Sequence, residues 1–153
     1  MRNIERRAGA HGVVADLARR SDVDMLFGRT LELLGNIDCL AVNSDLMPYG
    51  TIENVVDEDW DHSYETLLIS AVRLSRAAAR MMKASGPGGD IVFVSSAGVH
   101  EVTGHLLVSN VMRAGIAVLA KHLADTLSGS GVRVNVSRLA ISIQAEFTRE
   151  LRP

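Results

Sequence analysis

The feature that most constrains this chain is the regular switching of its apolar residues between two periods. "IDCLAVN" (37–43) and "IVFVSS" (91–96) are apolar without alternation, and between them lie stretches whose apolar residues recur at helical spacing. A strand that is apolar on both faces expects burial on both, which is the condition of a parallel sheet. "HGVVADL" (11–17) and "VRVNVS" (132–137) complete a set of four strand-length runs. Val23, Leu26, Phe27, Leu31 and Leu34 form a helical stripe that opens on Ser21 as its cap and closes on Gly35. From Asp57 the chain is helical for about seven turns, with Trp60, Tyr64, Leu67, Leu68, Ala71, Leu74, Ala78 and Met82 on one side, until "SGPGGD" stops it. "HLLVSNVMRAGIAVLAKHLADTL" is apolar almost all round and suits a helix packed on more than one side. The tail "IQAEFTREL" has the pattern of a short helix. Strands alternating with helices of this length give an α/β domain.

With 153 residues, one domain spanning 1–153 is expected. Apolar residues make up 47% and charged residues 22%, a globular composition. The net charge of -2 and the lack of a long Lys/Arg cluster argue against nucleic acid as a partner. No run reaches the roughly 18 apolar residues of a membrane span, and no apolar run follows the basic "RNIERR" start, so the expected compartment is the cytoplasm. Cys39, the single cysteine, falls inside an apolar run and is expected as a buried thiol. The histidines at 11, 62, 100, 105 and 122 lack the spacing of zinc ligands, so no metal is expected.

Four landmarks in order, "VVADL", "IDCLAVNSD", "GGDIVFVSSAG" and "GVRVNVS", resemble the short-chain dehydrogenase/reductase superfamily from its third strand to its sixth. The resemblance implies a truncated Rossmann-like parallel sheet of family strands 3-4-5-6, with long helices mainly on one face. It assigns Asp16 to the adenine ring of the cofactor, Asn43 to the Asn-Asn-Ala-Gly motif after the fourth strand, and Ser96 to the substrate carbonyl.

The departures from the family pattern carry the functional expectation. The family opens with a strand, a Gly-rich turn and a helix that hold the pyrophosphate, and this chain is expected to lack that segment. Its motif after the fourth strand reads Val42, Asn43, Ser44, Asp45, with a carboxylate that would repel a dinucleotide. In "LLVSNVMRAG" (106–115), Ser109 and Arg113 stand where the family has its catalytic tyrosine and lysine. A phenol with a pKa of about 10 can be tuned into a general acid, whereas a serine hydroxyl is far too weak. Arg113 keeps a charge but not the compact ammonium that contacts the cofactor ribose. The family's helix asparagine aligns with Leu67, and the Pro-Gly after its sixth strand aligns with Leu139 and Ala140.

Plainer roles stand beside these. Asp16 suits a turn or cap, and Asn43 suits bracing of neighbouring strand ends. His105 and Ser109, four apart, would share a helix face, but no nucleophile elbow accompanies them. The Met81–Met82 pair suits a core or an interface.

With the family's first two strands absent, "HGVVA" is expected to pair with "IDCLAV", leaving one face of the sheet bare. That face, with helices 57–84 and 104–128, is the expected interface with a second copy or a complete homologue. The resulting expectation is a pseudoenzyme that takes no cofactor, where the family would use NAD or NADP, and that serves as a structural or regulatory subunit. The alternatives are a fragment or divergent form of an NAD(P)-dependent oxidoreductase, and a non-redox enzyme using Ser96, Asn43 and Ser109.

Overall fold

The computed structural model describes residues 9–44, 47–86, 88–102 and 104–139. Asp45, Ala140 and the tail "IQAEFTREL" lie outside them, as does the "RNIERR" start. Three strands, β1 (Cys39–Val42), β2 (Gly89–Ser96) and β3 (Val132–Leu139), form a parallel sheet in the order β1-β2-β3. Helix α1 (Arg20–Leu34) leads into β1, α2 (Asp57–Ser63) and α3 (Ser70–Ser85) into β2, and α4 (Leu107–Leu127) into β3. This is the α/β architecture expected from the alternation of apolar periods.

The helices follow from their sequences with local differences. Helix α1 begins at Arg20, where the Ser21 hydroxyl bonds the Asp22 carboxylate at 3.2 Å in place of capping. It ends at Gly35, whose φ of 75° is open to glycine and whose N–H reaches the Leu31 carbonyl at 2.8 Å. Asp57, Glu58 and Asp59 occupy the first turn of α2, where the helix dipole favours negative charge. The single long helix expected from Asp57 is interrupted by a wider π-type turn at Tyr64–Ile69 before α3 continues the same stripe. Leu67, Ala71, Leu74, Ala78 and Met82 are buried, whereas Tyr64 is exposed. Of the methionine pair, Met82 lies in the core and Met81 packs against it.

The register defines two faces of the sheet. Leu40, Ile91 and Val134 align on one row, and Val42, Phe93 and Val136 on the next; all belong to the core or pack against it. The other face carries Cys39, Asp90 and Arg133 on one row and Ala41, Val92 and Asn135 on another. The edge-strand members of these rows are exposed. Helices α3 and α4 pack on the sheet, whose first face carries the core, so Cys39 on the other face is an exposed thiol and not the buried one its neighbours imply. Its run is apolar, but its parity along β1 directs it away from the helices.

"HGVVA" does not join the sheet: among the described residues there are three strands, not four. Val14 is 79% exposed. The Asp16 carboxylate accepts from the Ala18 N–H at 3.0 Å, and its carbonyl accepts from the Arg19 N–H at 2.9 Å, which turns the chain. Arg73 on α3 then donates to the Ala18 carbonyl at 2.6 Å, and Leu17 packs on the core. These ties draw the segment towards the helix layer and away from the edge of β1. No helix among the described residues is long and apolar enough to cross a membrane.

Phe93 is 1% exposed on the central strand. Phe93→Ala is expected to lower unfolding free energy by about 3–5 kcal/mol, read from urea denaturation midpoints. On the open face Arg133 makes a two-pronged contact with Asp90, Nε to Oδ1 and the terminal nitrogen to Oδ2, each at 2.7 Å. This hydrogen-bonded pair holds the Asp90 carboxyl below its ordinary pKa. A depressed carboxylate contributes stability above its unfolded-state value of about 4 and loses it as pH falls through the folded-state value. The stability difference between the native chain and Asp90→Asn is therefore expected to be present at neutral pH and to vanish in acid; a gap that persists there refutes the pair's contribution.

Candidate functional site

In an open parallel sheet, ligands meet the carboxyl ends of the strands, where loops and helix starts converge. Asn43 follows the last residue of β1 and is exposed. Ser96 ends β2 and is buried, its hydroxyl accepting from the Gly98 N–H at 3.2 Å within the short turn Ala97–Val99. That turn sits tightly on α4: a methyl group added to Gly98 would strike the Asn110 carboxamide oxygen.

Ser109 and Arg113 occupy the first two turns of α4, spaced so that both face the end of β2. Arg113 Nε donates to Ser109 Oγ at 3.2 Å, and a terminal nitrogen donates to the Val94 carbonyl at 2.9 Å. Ser109 is buried, Arg113 half-buried. Burial pulls the Arg113 pKa below its ordinary value, but a guanidinium stays protonated in proteins. The result is a fixed positive charge beside a buried hydroxyl, one strand residue from Ser95, whose own buried hydroxyl has no partner among the described residues.

The structure thus joins Ser109 to Arg113 and Arg113 to Val94, two residues before Ser96 at the end of β2, and sets Asn43 at the carboxyl end of β1. Asp16 is engaged locally: besides its turn contacts, its carboxylate pairs with Arg19 at 3.2 Å. This is the turn role considered for it. His105 does not share a helix face with Ser109, because α4 begins only at Leu107; the His105 carbonyl instead accepts from the Gly50 N–H at 2.9 Å. Leu67, expected at the place of the family's asparagine, is buried in the π-type turn. Sequence reading missed Asn110, Gly98 and the Val94 carbonyl. The proximity of Gly98 and Asn110 leaves no spacing signature, and a backbone carbonyl has no residue code at all. Among the described residues no group of three His, Cys, Asp or Glu side chains comes together as a metal site.

The family described as "Enoyl-(Acyl carrier protein) reductase" matches residues 1–145. An uncharacterized oxidoreductase of Thermotoga maritima is 34% identical over 124 residues, which are 80% of this chain and 48% of that protein. Dehydrogenase/reductase SDR family member 4 of Bos taurus is 30% identical over 141 residues, 92% of this chain and 50% of its own length. A short chain dehydrogenase from Mycobacterium smegmatis superposes with a TM-score of 0.80 at 29% identity, covering 85% of this chain and 54% of that one. The chain spans about half the length of the curated relatives it matches.

These matches overturn the expectation that the chain takes no cofactor. The frame it shares is that of an NAD(P)-dependent family, its relatives are oxidoreductases, and nothing in the match shows that cofactor binding is lost. With its parallel sheet, its strand-end serine and a family match across nearly its whole length, the chain belongs to the short-chain dehydrogenase/reductase superfamily.

Proposed function

We propose that this chain is a short-chain dehydrogenase/reductase whose own carbonyl-reducing step is silenced where a proton must be donated, and that it works as a structural or regulatory subunit. The supporting observation is the Arg113–Ser109 contact at 3.2 Å. Reduction of a carbonyl needs a proton donor matched to the working pH. An aliphatic hydroxyl is a weaker acid than the phenol it replaces, and a neighbouring guanidinium does not close that gap. Leu67 offers no hydrogen bond with which to relay a proton.

The reading concerns proton donation and leaves the family's NAD(P) in place as the cofactor against which it is tested. That cofactor supplies the hydride when bound. Asn43, an exposed amide at the carboxyl end of β1, fits contact with its polar groups. The Asp16 carboxylate is already shared between Ala18 and Arg19 and fits less well.

The subunit role is supported by the apolar residues on the outer surfaces of the two long helical segments. Val111 and Val118 on α4 are exposed, Val118 at 71%, and Tyr64 is exposed between α2 and α3. A second copy or a complete family member covering these surfaces and the open sheet face would bury them.

A second reading, a divergent NAD(P)-dependent oxidoreductase, is favoured by Ser96, whose hydroxyl is already oriented by Gly98 at the strand end. The two readings differ in one assay, in which the purified chain is given NADH or NADPH and a panel of small ketones. The silenced subunit is expected to oxidise the cofactor at least about a thousandfold more slowly than a complete family member, while native mass spectrometry shows it paired with itself or with that member. Ketone-dependent oxidation that disappears in Ser109→Ala would overturn the silenced reading in favour of the second.

A further inference from the structure

We propose that the site between the carboxyl end of β2 and the first two turns of α4 binds a small organic carboxylate, gripped by Arg113 with the hydroxyl of Ser109 beside it. This goes beyond the reading above and stands whether or not the chain reduces carbonyls.

The first observation is a half-buried cation with no counter-charge among the described residues. Ion pairs among the described residues join Arg19 to Asp16, Arg20 to Asp24, Arg29 to Glu32, Arg73 to Glu65 and Arg133 to Asp90. Among the described residues the half-buried Arg113 meets only neutral acceptors, the Ser109 hydroxyl and the Val94 carbonyl. A cation withdrawn from water without a counter-charge is costly, and the cost falls when an anion is brought to it.

The second observation is geometry. A guanidinium carries five N–H donors in a planar fork, and Arg113 uses Nε and one terminal nitrogen to fix itself to α4 and β2. Among the described residues its other terminal nitrogen has no hydrogen-bond partner, and the fork is held in place before any ligand arrives. A carboxylate is the planar, two-oxygen acceptor that such a fork matches, and a preordered donor loses little entropy on binding.

The third observation is the surrounding set of hydroxyls. Ser95 and Ser96 both end on β2, and the buried Ser95 hydroxyl has no partner among the described residues. Serine at 109 adds a buried hydroxyl 3.2 Å from the Arg113 guanidinium. A neutral ketone would leave the charge unmatched, and a carboxylate would not.

The test uses the whole chain and two probes of nearly the same shape, acetoacetate and its uncharged methyl ester, titrated by calorimetry and by the arginine Nε–H signals in NMR. Acetoacetate is expected to bind at least about tenfold more tightly than the ester, to shift the Arg113 signal and to weaken with added salt. Arg113→Met is expected to remove that preference, and Arg113→Lys to retain part of it. Should Arg113→Met fail to fold, the acid-to-ester ratio and the salt dependence of the native chain still decide. Equal affinity for acid and ester, no binding of acetoacetate by about 10 mM, or tighter binding of inorganic phosphate than of acetoacetate would each overturn the proposal.

Discussion

Strand β2 is the constraint on which the rest of the structure depends, because it is the one strand among the described residues with a hydrogen-bonded neighbour on each side. Its Ile91 and Phe93 carry the core, and its end, from Val94 to Ser96, carries the candidate site. Its start is equally restricted. Gly88, at a φ of 84°, leads into the strand so close to the Gly131 backbone that no side chain could be placed there. The two glycines let the chain before β2 and the chain before β3 touch. From that contact the two strands run in register from Gly89 with Val132 to Ser96 with Leu139.

Much of this was legible because burial leaves a period. The positions of β2, α3 and α4 follow from apolar runs and stripes, and the resemblance orders the strands. What escaped was whatever depends on which neighbour is present. "HGVVA" has the composition of a strand, but a strand exists only as part of a ladder, and the Asp16 turn and the Arg73 tie pull this segment elsewhere. Cys39 sits in an apolar run, yet its burial is decided by parity and by which face the helices cover. The π-type turn at Tyr64–Ile69 leaves the stripe intact and shifts its phase, so periodicity alone does not reveal it.

The candidate site divides in the same way. Ser96, Ser109 and Arg113 were found by spacing, because a family pattern fixes the distance along the chain between a strand end and a helix start. Their relation was not, since nothing in "LLVSNVMRAG" tells whether Arg113 turns outward to water or inward to Val94. The inward turn changes the chemistry of the position. An outward arginine would be an ordinary surface charge, whereas an inward one sets a permanent cation against the Val94 carbonyl near the end of β2.

That cation also bears on why an apolar sheet tolerates a polar end. Each carbonyl at the end of a parallel strand that lacks the next rung of the ladder needs a donor. Arg113 supplies one to the Val94 carbonyl. The same guanidinium therefore satisfies a strand carbonyl and charges the site. Substitutions at Arg113 will act on stability and on ligand preference together, and only a comparison of charged with uncharged ligands on one variant separates the two.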